Sequence, residues 1–203
     1  MKVLCISDTV MPQMESAVNL RRQYGNIELI ISCGDLPSVY LEFITSVLNV
    51  PLFFVRGNHD ESYTENPPGG EDLHNRLIEH GGLTFFGLEG SPRYSGSPVQ
   101  YTEGEMGRFV FNAGIGMRLR RWRQGYGVDV LVTHAPPFGI HDAEDPPHRG
   151  FKALLNFVDW YRPRYMLHGH VHTYDRRTVT QTERNGTIIM NINPVTVLDI
   201  NPA

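Results

Sequence analysis

Two turns, Gly57-Asn58-His59-Asp60 and Gly169-His170-Val171-His172, concentrate side chains of the kind that hold metal ions. Asp8, Gly34-Asp35 and His134 add to them, giving three carboxylates, one amide and four imidazoles in short polar stretches that follow apolar runs. Anionic oxygen and neutral imidazole nitrogen suit a hydrolytic divalent ion that keeps a position open for water. Two such ions, roughly 3.5–4 Å apart, share a carboxylate and a hydroxide. The bound hydroxide is a nucleophile at neutral pH, and the ions neutralise phosphate charge during in-line attack.

Each stretch alone has a plainer reading. Gly, Asn and Asp favour turns, Asp8 can cap a helix, and His134 before Ala135-Pro136-Pro137 suits a loop. Joint occurrence at strand ends is what points to a site. Val3–Ile6, Leu29–Ser32, Leu52–Val55, Val128–Val132 and Tyr165–Leu167 read as buried strands. Asp8, Asp35, Asn58 with His59, His134, and His170 with His172 follow them in turn. Ligands bind outside the carboxyl ends of strands in α/β sheets, and five strands deliver ligand-type residues to that edge. His168 shares the parity of His170 and His172 and is expected to pack at the strand end with a hydrogen bond behind the ligands.

Helical periodicity at Ala17–Tyr24 and Tyr40–Leu48 completes a β-α-β-α-β order, which argues for a parallel sheet. Residues 60–82 read as a Gly/Pro-rich loop with a short helix at Leu73–Glu79, placing His74 and His80 on a solvated face. Leu83–Leu88 is a strand, and Ser91 to Gln100 is irregular. Thr102-x-x-Glu105 is a capping box that opens a helix to about Arg123. A loop over 135–150 precedes a helix at Phe151–Trp160. Asn185-Gly186 marks a hairpin between Arg176–Thr182 and Thr187–Ile192, and Val195–Ile200 closes the chain as a strand.

The ordered set Asp8, Gly34-Asp35, Gly57-Asn58-His59-Asp60, His134 and Gly169-His170-Val171-His172 resembles the calcineurin-like metallophosphoesterases. The resemblance implies an α/β fold of two mixed β-sheets packed face to face and flanked by helices, a four-layer αββα sandwich. It implies that Asp35 bridges two metal ions, that Asp8 and His172 bind the first, and that Asn58, His134 and His170 bind the second. His59 would protonate the leaving group, and Asp60 would orient His59 and favour its protonated form. The chain departs from the family's Asp-x-His motif: Asp8-Thr9-Val10 has no histidine, so the first site is expected to be weaker. His141, Asp142 and His148, in the loop after His134, could approach and help complete it, as could Thr9 through water.

The 203 residues suit one metallophosphoesterase domain over 1–203 with no cap domain. A formal net charge of −4 disfavours a nucleic-acid substrate. Arg118-Leu119-Arg120-Arg121-Trp122-Arg123 reads as an exposed helix face, and a groove from it to the metals would revive a nuclease reading. Arg56 and His148 are candidate phosphate contacts, with surface charge as the alternative. Cys5 and Cys33 read as free buried thiols, and no stretch reaches the length of a membrane span or signal peptide, so a cytoplasmic, non-membrane protein is expected. The expected activity is hydrolysis of a small phosphoester, a phosphodiester over a monoester, using two divalent ions from among Mn, Fe, Zn and Ni. The competing reading is a binding or scaffold protein that keeps the fold with weakened catalysis. The sequence leaves oligomeric state open.

Overall fold

The computed structural model describes residues 1–172 and 177–202, with residue 115 described by its backbone alone. In chain order the first half holds β1 (Lys2–Ile6), α1 (Ala17–Tyr24), β2 (Leu29–Ser32), α2 (Ser38–Leu48), β3 (Leu52–Phe54), β4 (Glu71–Asp72), β5 (Leu77–His80) and β6 (Leu83–Leu88). Next come β7 (Ser91–Pro92), β8 (Gln100–Tyr101), α3 (Glu103–Asn112), α4 (Gly114–Gln124) and β9 (Val130–Thr133). The remainder is α5 (Lys152–Tyr161), β10 (Tyr165–His168), β11 (Gln181–Arg184), β12 (Thr187–Asn191) and β13 (Val195–Asp199).

One sheet runs β13-β1-β2-β3-β4 and the other β11-β12-β10-β9-β6-β5, while β7 and β8 pair apart. β1, β2 and β3 are parallel, as are β6, β9, β10 and β12; β13, β5 and β11 close edges antiparallel. Strand side chains alternate between faces, and the alternation sorts the core into layers. Val3, Cys5, Leu29, Ile31, Phe53, Phe85, Val130, Val132 and Leu167 form a single cluster between the sheets. Leu4, Ile6, Ile30, Leu52 and Phe54 face the other way, with Leu20 of α1 and Leu41 and Ile44 of α2. Phe86, Leu88, Leu131 and Met166 pack with Met106, Val110, Leu154 and Phe157 of α3 and α5. This is the expected αββα arrangement. Cys5 and Cys33 are free and buried.

Two expected helices are corrected. Leu73–Glu79 is no helix: the segment runs into β5, where Leu77 pairs with Phe86 and His80 with Leu83. Leu73 is buried between the sheets, and a Cβ at Gly87 would collide with it, so sheet packing overrides local pattern here. His74 and His80 are therefore half-buried, not solvated, and each packs edge-on against a phenylalanine, Phe109 and Phe53 respectively. The capping box is present at Thr102 and Glu105, yet the helix it opens stops at Asn112 and α4 starts anew. The Tyr161 hydroxyl donates to Val110 O (3.0 Å), the carbonyl that the Gly114 amide would take in a continuous helix. The hairpin turns at Asn185-Gly186 as expected; of the strand expected at Arg176–Thr182, Arg176 lies outside the described residues, 177–180 are not strand, and the strand is Gln181–Arg184.

Candidate metal centre

All five ligand-bearing stretches follow the carboxyl ends of β1, β2, β3, β9 and β10. Three of the ligand-type residues, Asp8 (φ 63), Asp35 (φ 57) and His170 (φ 71), sit in the left-handed region that non-glycine residues avoid. Such conformations cost about 1–2 kcal/mol each and persist where the surroundings over-determine them. The surroundings here are the other loops. A Cβ at Gly57 would collide with the Asp35 carboxylate, and one at Gly169 with Ser7 Oγ and the Asp8 carboxylate. The glycines of both motifs are needed for this close approach.

His134 is fully buried. Its Nδ1 lies 2.8 Å from Cys33 O, and its Nε2 lies 3.0 Å from His170 Nδ1, 3.1 Å from Asn58 Oδ1 and 3.4 Å from Asp35 Oδ2. His170 Nε2 in turn lies 2.8 Å from Pro147 O. Each ring thus has one nitrogen committed to a backbone carbonyl, which can only accept. A neutral ring donates there, so its second nitrogen carries a lone pair. Two lone pairs, a carboxylate and an amide oxygen then converge on one point, an arrangement that calls for a cation. Asp35, His134 and His170 form a group whose ligand atoms lie within 4.8 Å of one another. The donor set fits a divalent ion of mixed N/O preference. Carbonyl anchoring of the outer ring nitrogen is how metal-binding histidines are held.

In the metal-free chain a proton on His134 takes the cation's place. Burial pushes the His134 imidazolium down, but the Asp35 carboxylate, with Asp8 and the Cys33 carbonyl, lifts it to about 9. Burial, reinforced by His134, pushes His170 down to about 3. Burial pushes Asp35 up, yet His134 and the His59 amide hold it well below the ordinary carboxylate range. Asp8 is raised, chiefly by burial; both of its oxygens accept from the His170 amide, at 3.1 and 3.0 Å.

Not every expected residue sits as expected. The Asp60 carboxylate does not meet the His59 ring; its Oδ2 accepts from the Asp35 amide (2.7 Å) and the Gly57 amide (2.8 Å). It ties the two motifs together and reaches His59 only through the turn. His59 is exposed, and its amide donates to Asp35 Oδ1 (2.9 Å). Val10 packs against the cluster between the first sheet and its helices, beside Tyr40 and Phe43. Of its proposed substitutes, His141 bonds His168 (3.1 Å) and Thr182 (2.9 Å), and Asp142 accepts from the Gly139 and Gly150 amides. His148 alone of the three lines the cavity over the centre. Its ring centroid lies 5.0 Å from that of His170. His168 is fully buried behind the ligands, as expected. Arg56 is no phosphate contact: it makes a two-pronged ion pair with buried Glu89 (2.6 and 2.9 Å). The arginines of α4 lead away from the centre. Arg120 reaches Glu79 and Thr84, and Arg121 the Asp159 and Trp160 carbonyls, all at the opposite ends of the strands.

A cavity of about 260 Å³ opens over the donor set, lined by Asp35, Asn58, His59, Tyr94, Pro147, His148, His170 and His172. The sequence reading missed Tyr94, whose hydroxyl accepts from Asn58 Nδ2 (3.1 Å), and Pro147, whose contribution is a carbonyl. Among the described residues, no helix is long and apolar enough to cross a membrane.

Known proteins share parts of this sequence and this fold. The UPF0046 protein K07C11.7 of Caenorhabditis elegans is 28% identical over 206 residues, 85% of this chain and 63% of that protein. A second one from that organism, UPF0046 protein T07D4.2, is 34% identical over 104 residues, 49% of this chain. The chain spans 63% and 23% of the lengths of these two relatives. In fold it is similar to TT1561 of Thermus thermophilus (TM-score 0.59, 13% identity, 94% of this chain and 88% of that one). It is also similar to GAP50, the anchor in the inner membrane complex of Plasmodium (TM-score 0.54, 12% identity, 94% and 70% covered). The calcineurin-like phosphoesterase family model matches residues 1–174, and the chain belongs to that family.

Proposed function

We propose that this chain is a single-domain, divalent-metal-dependent phosphohydrolase that cleaves a small phosphodiester. One observation carries the reading: four donor atoms from four strand ends converge where the His134 and His170 nitrogens face each other at 3.0 Å. Asp35, Asn58, His134 and His170 would hold one ion. Asp8, Asp35 and His172 would hold a second, more weakly, because Val10 offers no ligand. Mn, Fe, Zn and Ni all suit the donors. When bound, the ions acidify water and neutralise charge on the phosphoryl group.

The chain's own residues do the rest. Asp35 stays ionised at neutral pH, as a bridging ligand must. His59 stands at the exposed rim, tied through its amide to Asp35, where it can protonate a departing alkoxide. Among the described residues that line the cavity, none is Lys or Arg. A phosphodiester carries one negative charge and needs less cationic clamping than a terminal phosphate dianion. The basic face of α4 lies at the opposite strand ends and lends no support to a nuclease. The unpaired thiols of Cys5 and Cys33 are in keeping with a reducing, cytoplasmic setting.

The test is hydrolysis of bis(p-nitrophenyl) phosphate by metal-stripped protein, with and without Mn²⁺. Metal-dependent turnover that disappears in Asp35→Asn supports the reading. Absence of turnover with each of Mn²⁺, Fe²⁺, Zn²⁺ and Ni²⁺ favours the second reading, a binding protein on the same fold, whose structural support is Val10 packed away from the centre.

A further inference from the structure

We infer that Tyr94 has two separable roles at this centre: its hydroxyl positions the metal ligand Asn58, and its ring forms a subsite for a flat, aromatic ester arm of the substrate. The inference rests on the phosphodiesterase reading only for the word substrate; both roles are readable without turnover.

The first role follows from a hydrogen-bond count. The Asn58 amide has one face that must accept a metal and another that can only donate. Its Oδ1 lies 3.1 Å from His134 Nε2, among the donor atoms, while Nδ2 donates to the Tyr94 hydroxyl at 3.1 Å. With Oδ1 held at the ion, Nδ2 points away from it, and the Tyr94 hydroxyl, which can accept or donate, accepts there and fixes where the amide lies. A second tie, from Ser97 Oγ to Asn58 O (3.4 Å), anchors the same loop to the same residue.

The second role follows from what lines the cavity. Tyr94 is 43% exposed, so much of its ring faces outward and not into the core. Beside Asp35, Asn58, Pro147 and His170, the cavity is lined by the rings of His59, His148 and His172, each delivered by a different loop. Planar rings offer faces for stacking, and no Lys or Arg is among the described lining residues. Such a mouth suits an aryl or nucleoside group on one arm of a diester, and gives a dialkyl phosphate little to hold.

Two variants separate the roles. Tyr94→Phe keeps the ring and loses the hydroxyl; Tyr94→Ala loses both. Mn²⁺ affinity, followed by calorimetry on metal-stripped protein, is expected to fall about fivefold in both variants, the worth of one hydrogen bond. Binding of diphenyl phosphate is then compared with that of dimethyl phosphate, each protein being saturated with Mn²⁺. Wild type and Tyr94→Phe are expected to prefer the diphenyl ester by at least tenfold, and Tyr94→Ala to lose that preference. Wild-type Mn²⁺ affinity in Tyr94→Phe would overturn the positioning role. Equal binding of the two esters by wild type, or an undiminished preference in Tyr94→Ala, would overturn the subsite. A failure of turnover alone would count against the phosphodiesterase reading, while metal affinity and ester preference still decide the two roles.

Discussion

Metal binding at this centre should be strongly pH-dependent, because the ion takes the place of a proton. In the metal-free chain the His134 pKa stands at about 9 and that of His170 at about 3. Between those values the pair holds one proton beyond the two donated to the Cys33 and Pro147 carbonyls, on His134 Nε2, with His170 Nδ1, Asn58 Oδ1 and Asp35 Oδ2 as its neighbours. A divalent ion needs both nitrogen lone pairs, so it must expel that proton. At pH 7, about two units below that pKa, the proton lowers apparent affinity about 100-fold relative to its limit. At pH 8 the factor is about tenfold. The logarithm of the association constant is therefore expected to rise about one unit per pH unit from pH 6 to 8 and to level near 9.

The assay is competition of Mn²⁺ or Zn²⁺ between the protein and a chelating dye whose own pH dependence is known. Calorimetry in buffers of different ionisation enthalpy should count close to one proton released per ion at pH 7. The stability sign is fixed by the same shift. His134 is raised in the fold above its ordinary value of 6.5, so its stabilisation is present below that pH and lost as pH climbs towards 9. The Tm of metal-free protein should fall across that interval, and that of metal-loaded protein should not. A pH-independent association constant with no proton release would refute the reasoning.

Three further outcomes follow from single contacts. His59→Ala should lower kcat about 100-fold or more with metal content unchanged, measured by diester hydrolysis and elemental analysis; equal metal loss would make His59 a ligand. Asp60→Ala leaves the buried amides of Asp35 and Gly57 without an acceptor, so unfolding free energy should drop by about 2–4 kcal/mol in urea titration, with weaker Mn²⁺ binding alongside. Val10→His should leave metal stoichiometry unchanged, because residue 10 packs beside Tyr40 and Phe43; a gain of one equivalent would show that the loop can turn its side chain to the centre.

The strands and the phasing of ligand residues at their ends were legible because both follow from local pattern. Buried parallel strands are apolar throughout, and the polar residue that ends each run is visible without knowing its neighbours. What escaped depends on distant partners. Arg56 looks like a phosphate contact until Glu89, 33 residues on, takes its guanidinium. Tyr94 lies in an irregular stretch with no motif, 36 residues from the Asn58 it bonds. The helix expected at Leu73–Glu79 failed because β6 needed an edge partner, and nothing local records that need.

The misjudged role of Asp60 shows a more general limit. Motif residues are conspicuous as side chains, and the natural guess pairs them with one another. Here the polar partners are mostly main-chain groups of other loops. Asp60 accepts from the amides of Asp35 and Gly57, Asp8 from that of His170, and Asp35 from that of His59; His134 and His170 address the carbonyls of Cys33 and Pro147. Any residue type supplies a carbonyl, so Cys33 and Pro147 carry no sequence signal for their part in orienting the two imidazoles. The same logic says where the centre is vulnerable. A side-chain change at Cys33 keeps the hydrogen bond to His134 as long as the backbone stays in place. Inserting one residue between Pro146 and His148 would displace the carbonyl that fixes the His170 ring, although no ligand had been touched.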